Sequence, residues 1–211
     1  MNGYMKPQDI EKRSFEIITA EMGERTFPAG IAEVVKRVIH TTADFDYADS
    51  LAFSPDVIEK AKAALAAGAT VVTDTNMALS GVSKVTLAKL GGKAVCLMAD
   101  EQVASEAKAR GVTRAVVSME HAAKFEGPLI FAIGNAPTAL IRLHELIEEG
   151  IVAPALVIGV PVGFVNVVEA KELFIGGNTP YIIARGRKGG SNVAASIVNA
   201  LLYQLVHREG F

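Results

Sequence analysis

The 211-residue chain is 50% hydrophobic and 21% charged, a balance that suits a globular domain with a sizeable core and excludes disordered and fibrous classes. Its 21 Lys and Arg against 23 Asp and Glu leave a formal charge of -2, so there is no general basic surface for nucleic acid and any anion recognition must be local. The single cysteine, Cys96, excludes an internal disulfide and any multi-thiolate metal site, and it suits a reducing compartment, the cytoplasm.

Taken in chain order, the amino-terminal segment carries Asp9, Glu11, Lys12 and Arg13 and lacks the basic head and apolar stretch of a secretory signal. Two helices are expected over residues 7–22 and 28–39, with apolar positions such as Ile10, Ile17 and Ile18 in one and Val34, Val35, Val38 and Ile39 in the other. Both should pack on a sheet and deliver His40 towards a cleft. Apolar or β-branched runs at 69–73, 94–98, 115–118, 129–133, 155–158 and 181–184 read as buried strands. Helix punctuation separates them: Ser54-Pro55 and Gly68, Asp100 and Gly111, Asn135 with Pro137 and Gly150.

Residues 151–168 are uncharged and approach membrane-spanning length, but Pro154, Gly159, Pro161, Gly163 and Asn166 make them a strand, a turn and a helix start. A terminal helix is expected over 191–208, with Ala194, Ile197, Val198, Leu201, Leu202 and Leu205 at helical spacing. With no repeat, low-complexity tract or linker, one domain should cover 1–211. Strands apolar on both faces and joined by helical crossovers predict a three-layer α/β/α fold around a doubly wound, mainly parallel sheet of five or six strands.

Such sheets bind ligands beyond the carboxyl ends of their strands. That rule selects Asp74-Thr75, Asp100, Gly134-Asn135, the turn 159–163 and the loop 185–191. Dinucleotide, P-loop and hydrolase-elbow motifs do not occur, and the four histidines are too dispersed for a metal pattern. His40 has two readings: a cation favoured near a helix carboxyl end, or a group that moves a proton near neutral pH. His144 and His207 fall in amphipathic helices, and His121 is uninformative. The loop Arg185-Gly-Arg-Lys-Gly-Gly-Ser191 compresses three cations and three glycines before a helix start. It is either an anion site or a solvated basic turn. Asn135-Ala-Pro-Thr138 reads as a helix cap, Asp74 as a turn cap, and Glu169, Lys171 and Glu172 as a solvated helix face.

An ordered set of segments nevertheless spans nearly the whole chain: Arg13-Ser14-Phe15, Arg37-Val-Ile-His40, Leu51-Ala-Phe53-Ser54, Asp74-Thr75-Asn76-Met77 with Gly81, Gly134-Asn-Ala-Pro-Thr-Ala-Leu140, Pro154-Ala-Leu-Val-Ile-Gly159, Pro161-Val-Gly-Phe-Val165 and Gly186-Arg-Lys-Gly-Gly-Ser191. Together they resemble the precorrin-8X methylmutase family of cobalamin biosynthesis, including its cobalt-precorrin-8 branch. The resemblance implies a flavodoxin-like fold and an isomerase that moves a methyl group from C-11 to C-12 of the corrinoid ring, without a redox cofactor. It further implies a homodimer with clefts near the subunit interface, and no nucleic-acid or membrane partner.

By motif, His40 matches the family's catalytic histidine, a general acid towards the macrocycle. Asp44 or Asp46 would stabilise its imidazolium. Ser14 and Ser83 match ring-contacting hydroxyls, and Arg114, placed just before a strand, matches a substrate-region arginine. Arg187, Lys188 and Ser191 fall in the basic loop, which would clamp the acetate and propionate arms. Val162 and Phe164 either cover the macrocycle face or pack in the core. Where relatives carry Glu-Ser-Lys, this chain has Glu169-Ala170-Lys171, which removes a hydroxyl. Two other functions compete: a corrinoid handover protein without chemistry, and a module of flavodoxin-like shape that binds FMN or a nucleotide.

Overall fold

The apolar runs pair edge to edge in the computed structural model, which describes residues 7–206. In chain order the elements are α1 (Pro7–Met22), α2 (Ile31–Thr42), α3 (Tyr47–Ser50), β1 (Leu51–Phe53), α4 (Val57–Ala66), β2 (Thr70–Thr73), α5 (Asn76–Gly81), α6 (Lys84–Lys89) and β3 (Lys93–Cys96). There follow α7 (Glu101–Arg110), α8 (Arg114–Ala122), β4 (Leu129–Ile133), α9 (Pro137–Glu148), β5 (Leu156–Gly159), α10 (Val167–Glu172), β6 (Tyr181–Ala184) and α11 (Ser191–Tyr203).

The six strands lie in the order β1-β6-β5-β4-β2-β3. All neighbours from β6 to β3 are parallel, and β1 alone runs antiparallel, on β6. Numbered among themselves, the parallel strands follow the flavodoxin order 2-1-3-4-5, so the topological switch point falls between β2 and β4. Strands β2, β4, β5 and β6 are buried at every position, which is why they read as continuous apolar runs.

Two expectations about the strands fail. Residues 115–118 are the first half of α8, not a strand. Their β-branched Val116 and Val117 suggest extension, but Thr113 caps a helix by accepting the Val116 N–H at 3.3 Å, and Ala115, Ser118, Met119 and Ala122 bury one helical face. Arg114 therefore opens a helix instead of preceding a strand. The unanticipated strand is β1, too short to show a period, held where the Ser54 Oγ accepts the Tyr181 N–H at 2.9 Å.

The core explains the layers. Helix α11 is buried at almost every position from Ser191 to Leu202, so it needs apolar partners on both sides. It lies between the sheet and α2, while α1 packs on α2. The inward residues of α2 share one core with α11 and the sheet, and the heaviest packing of α2 is on α11. Helix α2 also starts and ends about one turn later than expected, with Ala43 closing it in the left-handed conformation, so His40 lies inside its last turn. The terminal helix, expected to reach residue 208, ends at Tyr203, and residues 204–206, Leu205 among them, form a turn; the expected residues 207 and 208, including His207, lie outside the described residues. No helix among the described residues is long and apolar enough to cross a membrane.

Candidate active site

The carboxyl ends of β2 and β4 meet through a single carboxylate. Asp74, buried immediately after β2, accepts the backbone N–H groups of Gly134, Asn135 and Ala136 at 2.9, 2.8 and 2.6 Å. Burial pushes its carboxyl above the usual carboxylate range, against the pull of those three amides. The donors belong to the turn that opens α9, so the helix entrance is capped across the sheet by Asp74. Asn135, expected as the cap, is exposed and makes no such bond; the cap position is Ala136, followed by Pro137.

The start of α11 closes on the same point. The hydroxyls of Thr75 and Ser191 lie 2.7 Å apart, and Thr75 also caps α5 by accepting the Ala78 N–H. Backbone approaches backbone here: a Cβ on Gly134 would fall 2.7 Å from the Ser191 Cα. Ser191 thus joins the switch point to the basic loop.

His40 occupies a second cluster, built by α1, α2 and the end of α11. Its ring stacks on Phe15 with centroids 5.2 Å apart and planes 21° apart. The Arg37 guanidinium lies 4.7 Å from the Phe15 centroid and 5.3 Å from that of Tyr203, and it pairs with Glu11. Phe15 and Arg37 lie in family segments without having been singled out; their signal is the i, i+3 spacing of Arg37 and His40 on one helix face. Ser14 and His40 line a common cavity of about 220 Å³ with Ile39, Ala43 and Phe45. The Ser14 hydroxyl donates to the Ile10 carbonyl one turn back at 2.9 Å.

Asp44 and Asp46, expected to stabilise the His40 imidazolium, instead receive the Lys188 ammonium at 2.6 Å each. Lys188 holds the Asp44 carboxyl below its usual range. The physical reason is competition: a flexible ammonium from the basic loop reaches both carboxylates of the turn after α2. This pair of bonds joins the basic loop to the end of the helix that carries His40.

Within the loop, Arg185 approaches Glu172 at 3.6 Å, and Arg187 is exposed, its guanidinium 5.4 Å from the ring centroid of Phe164. Phe164 is 82% exposed and Val162 48%, so neither is a core residue. Lys171 is the clearest departure from expectation. Far from a solvated face, it is wholly buried, and its ammonium donates to the carbonyls of Gly186 and Lys188 at 2.8 Å each. Burial pushes it down to about 8. The available signal was its spacing, since Val167, Ala170, Lys171 and Phe174 share one inward helical face.

Neither Ser83 nor Arg114 lines the cavity that His40 shares with Ser14. The Ser83 hydroxyl is 2.8 Å from that of Thr86, and its N–H donates to Asn199 of α11, whose amide in turn donates to the Gly81 carbonyl. Asn199, which the sequence reading passed over, lines a cavity of about 260 Å³ with Arg37, Thr41 and Ser196. Arg114 lies against the opposite layer and donates to the Met98 carbonyl at 3.4 Å. The remaining described histidines have structural partners: His121 pairs with Glu106 at 2.8 Å and His144 meets Phe174 edge to face.

The family model for Precorrin-8X methylmutase matches residues 9–204. The cobalt-precorrin-8 methylmutase of Salmonella typhimurium is 46% identical, covering 97% of this chain and 99% of that protein. That of Priestia megaterium is 45% identical, covering 93% and 88%. Among solved structures, precorrin-8X methyl mutase from Thermus thermophilus superposes with a TM-score of 0.86 at 39% identity, covering 92% of this chain and 94% of the other. With the flavodoxin strand order and the family segments gathered around His40 and the basic loop, these similarities establish that the chain belongs to the precorrin-8X methylmutase family, isomerases of cobalamin biosynthesis.

Proposed function

We propose that this chain moves a methyl group from C-11 to C-12 of precorrin-8X, or of its cobalt chelate, with His40 as the proton donor. The reaction breaks one carbon–carbon bond and forms another without net gain or loss of atoms, so a group that lends a proton to the ring must recover it. A histidine suits that cycle near neutral pH. The observation that carries the reading is the placement of His40 beside Ser14 in one cavity, its ring held flat by Phe15, with the basic loop tied to the same helix end by Lys188.

Arg187 is the loop cation best suited to clamp a substrate carboxylate, because it is exposed and forms no ion pair among the described residues, whereas Lys188 is already neutralised by two carboxylates. Ser14 faces the ring beside His40. Ser191 acts by setting the loop against Thr75, and Ser83 and Arg114 contact more distant parts of the substrate. Phe164, under the Arg187 guanidinium, offers an apolar surface to the macrocycle face.

The functional unit in this reading is a homodimer in the cytoplasm. The cavities beside His40 and Arg37 measure about 220, 260 and 350 Å³ and are shallow against a macrocycle with its acetate and propionate arms, so a second copy would complete each cleft. A flavin or nucleotide reading is opposed by Asp74, whose carboxylate already occupies the α9 amides where a phosphate would sit at the switch point.

The deciding experiment is an anaerobic UV-visible time course with precorrin-8X and, in parallel, cobalt-precorrin-8, the product's methyl position being read by NMR. Conversion of either establishes the reaction and the faster substrate selects the branch. Binding without rearrangement would favour the handover protein, and neither binding nor conversion would overturn the reading.

A further inference from the structure

Resting on the reading of the 185–191 loop as a carboxylate clamp, we propose that Lys171 is the positioning residue of that clamp. Its buried ammonium fixes the loop in the form that presents Arg187 and the loop amides to an anionic side arm of the substrate.

Three successive carbonyls in the loop are captured from beneath. Lys171 Nζ binds those of Gly186 and Lys188 at 2.8 Å each, and the Gly163 N–H donates to that of Arg187 at 3.1 Å. The N–H groups of residues 186–189 donate to no described residue. A run of backbone amides without acceptors, beside an exposed guanidinium, is an arrangement that suits an oxyanion. Gly186 adopts φ 75° at the start of this run, and at Gly189 a Cβ would fall 2.1 Å from the Val160 carbonyl oxygen, so the loop sits hard against the turn after β5.

A wholly buried lysine is costly unless its hydrogen bonds are met, and an apolar residue would pack the inward face of α10 without that cost. Its retention among Val167, Ala170 and Phe174 is explained by what the ammonium does to the loop above it. Two carbonyl acceptors two residues apart, gripped by one Nζ, close the chain into a tight arch with Arg187 at its crest. The positive charge beneath the arch also favours an anion above it.

The test compares Lys171→Met, Lys171→Gln, Arg187→Ala and the double variant Lys171→Met/Arg187→Ala in the full chain. KM and kcat with precorrin-8X, or with its cobalt chelate if that is turned over faster, are measured together with the Kd of the corresponding product by spectral titration. Lys171→Met is expected to raise KM and product Kd roughly tenfold or more while kcat stays within about threefold, and Lys171→Gln, which keeps a shorter donor, to fall between it and wild type. The double variant should bind no more weakly than the worse single variant, because both changes disable one device. Losses that multiply, or a Lys171→Met protein that melts lower but binds as wild type, would overturn the positioning role. Should Lys171→Met fail to fold, Lys171→Gln and its combination with Arg187→Ala carry the same comparison. If Arg187→Ala leaves KM and Kd unchanged, the clamp itself is wrong, a result separate from the outcome at Lys171.

Discussion

The ring of Phe15 lies against that of His40, 5.2 Å between centroids and 21° between planes, and the Arg37 guanidinium lies 4.7 Å from the same Phe15 centroid. One aromatic side chain from α1 therefore couples the proposed proton donor to a cation on its own helix. His40 is exposed in the last turn of α2, and its ring is met there by Phe15 from α1.

Removing the ring should separate orientation from binding. Phe15→Ala is expected to lower kcat by about two- to tenfold, in line with the ~0.5–1.5 kcal/mol of an aromatic pair, while product Kd changes by less than about twofold. Steady-state kinetics with spectral titration checks both, and an unchanged kcat would show that His40 needs no such support.

His40→Ala itself should reduce turnover by roughly 10²–10⁴, the usual contribution of a positioned acid, and leave product affinity nearly intact. If product binding disappears with the imidazole, His40 orients the ligand instead of donating a proton.

Asp74 is a stability determinant of the switch point. Asp74→Ala would strand the buried N–H of Gly134 and remove the acceptor of the partly exposed Asn135 and Ala136 N–H groups, at a cost of about 2–4 kcal/mol. Urea unfolding measures this directly, and a loss below about 1 kcal/mol would mean that water replaces the carboxylate.

Lys171 predicts an alkaline signature. Its folded-state value is lowered to about 8 from 10.5, so between those pH values the unfolded chain holds a proton that the folded chain has released. Stability conferred by this group therefore rises as pH climbs from about 8 to 10.5, by up to about 3 kcal/mol. The difference in unfolding free energy between wild type and Lys171→Met, measured at pH 7.5 and pH 10, should move in favour of wild type.

The Lys188 bridge predicts the opposite limb. Lys188 lowers the Asp44 carboxyl below its ordinary 3.8, so the contribution is present above that pH and lost as pH falls through the lowered value. Lys188→Ala should narrow its stability gap to wild type in acid and, because the groups are exposed, also in high salt. Thermal melts at pH 7 and pH 3, with and without 1 M salt, test this.

Much of the fold was legible because burial on both faces leaves an unmistakable pattern. Runs such as 129–133 and 181–184 are apolar throughout, and Asp100 and Gly111 bracket α7 as a cap and a left-handed stop. The sequence also presented His40 and the basic loop, since motif order survives along the chain. It misled at Ala115-Val-Val-Ser118, where local β-propensity lost to the Thr113 cap and a helical burial face, and it was silent about β1, three residues whose pairing is decided wholly by β6.

What only the tertiary structure decided were partners distant in sequence. Asp44 and Asp46 lie a few residues from His40, yet an ammonium about 140 residues onward claims them. Lys171 looked like any charged residue on a short helix, yet it is the buried support of the basic loop. Hydrophobic periodicity is a local property and can be read along the chain; the pairing of a charge depends on which groups the fold brings within about 3 Å, and that distance is set by the whole packing of sheet, helix and loop.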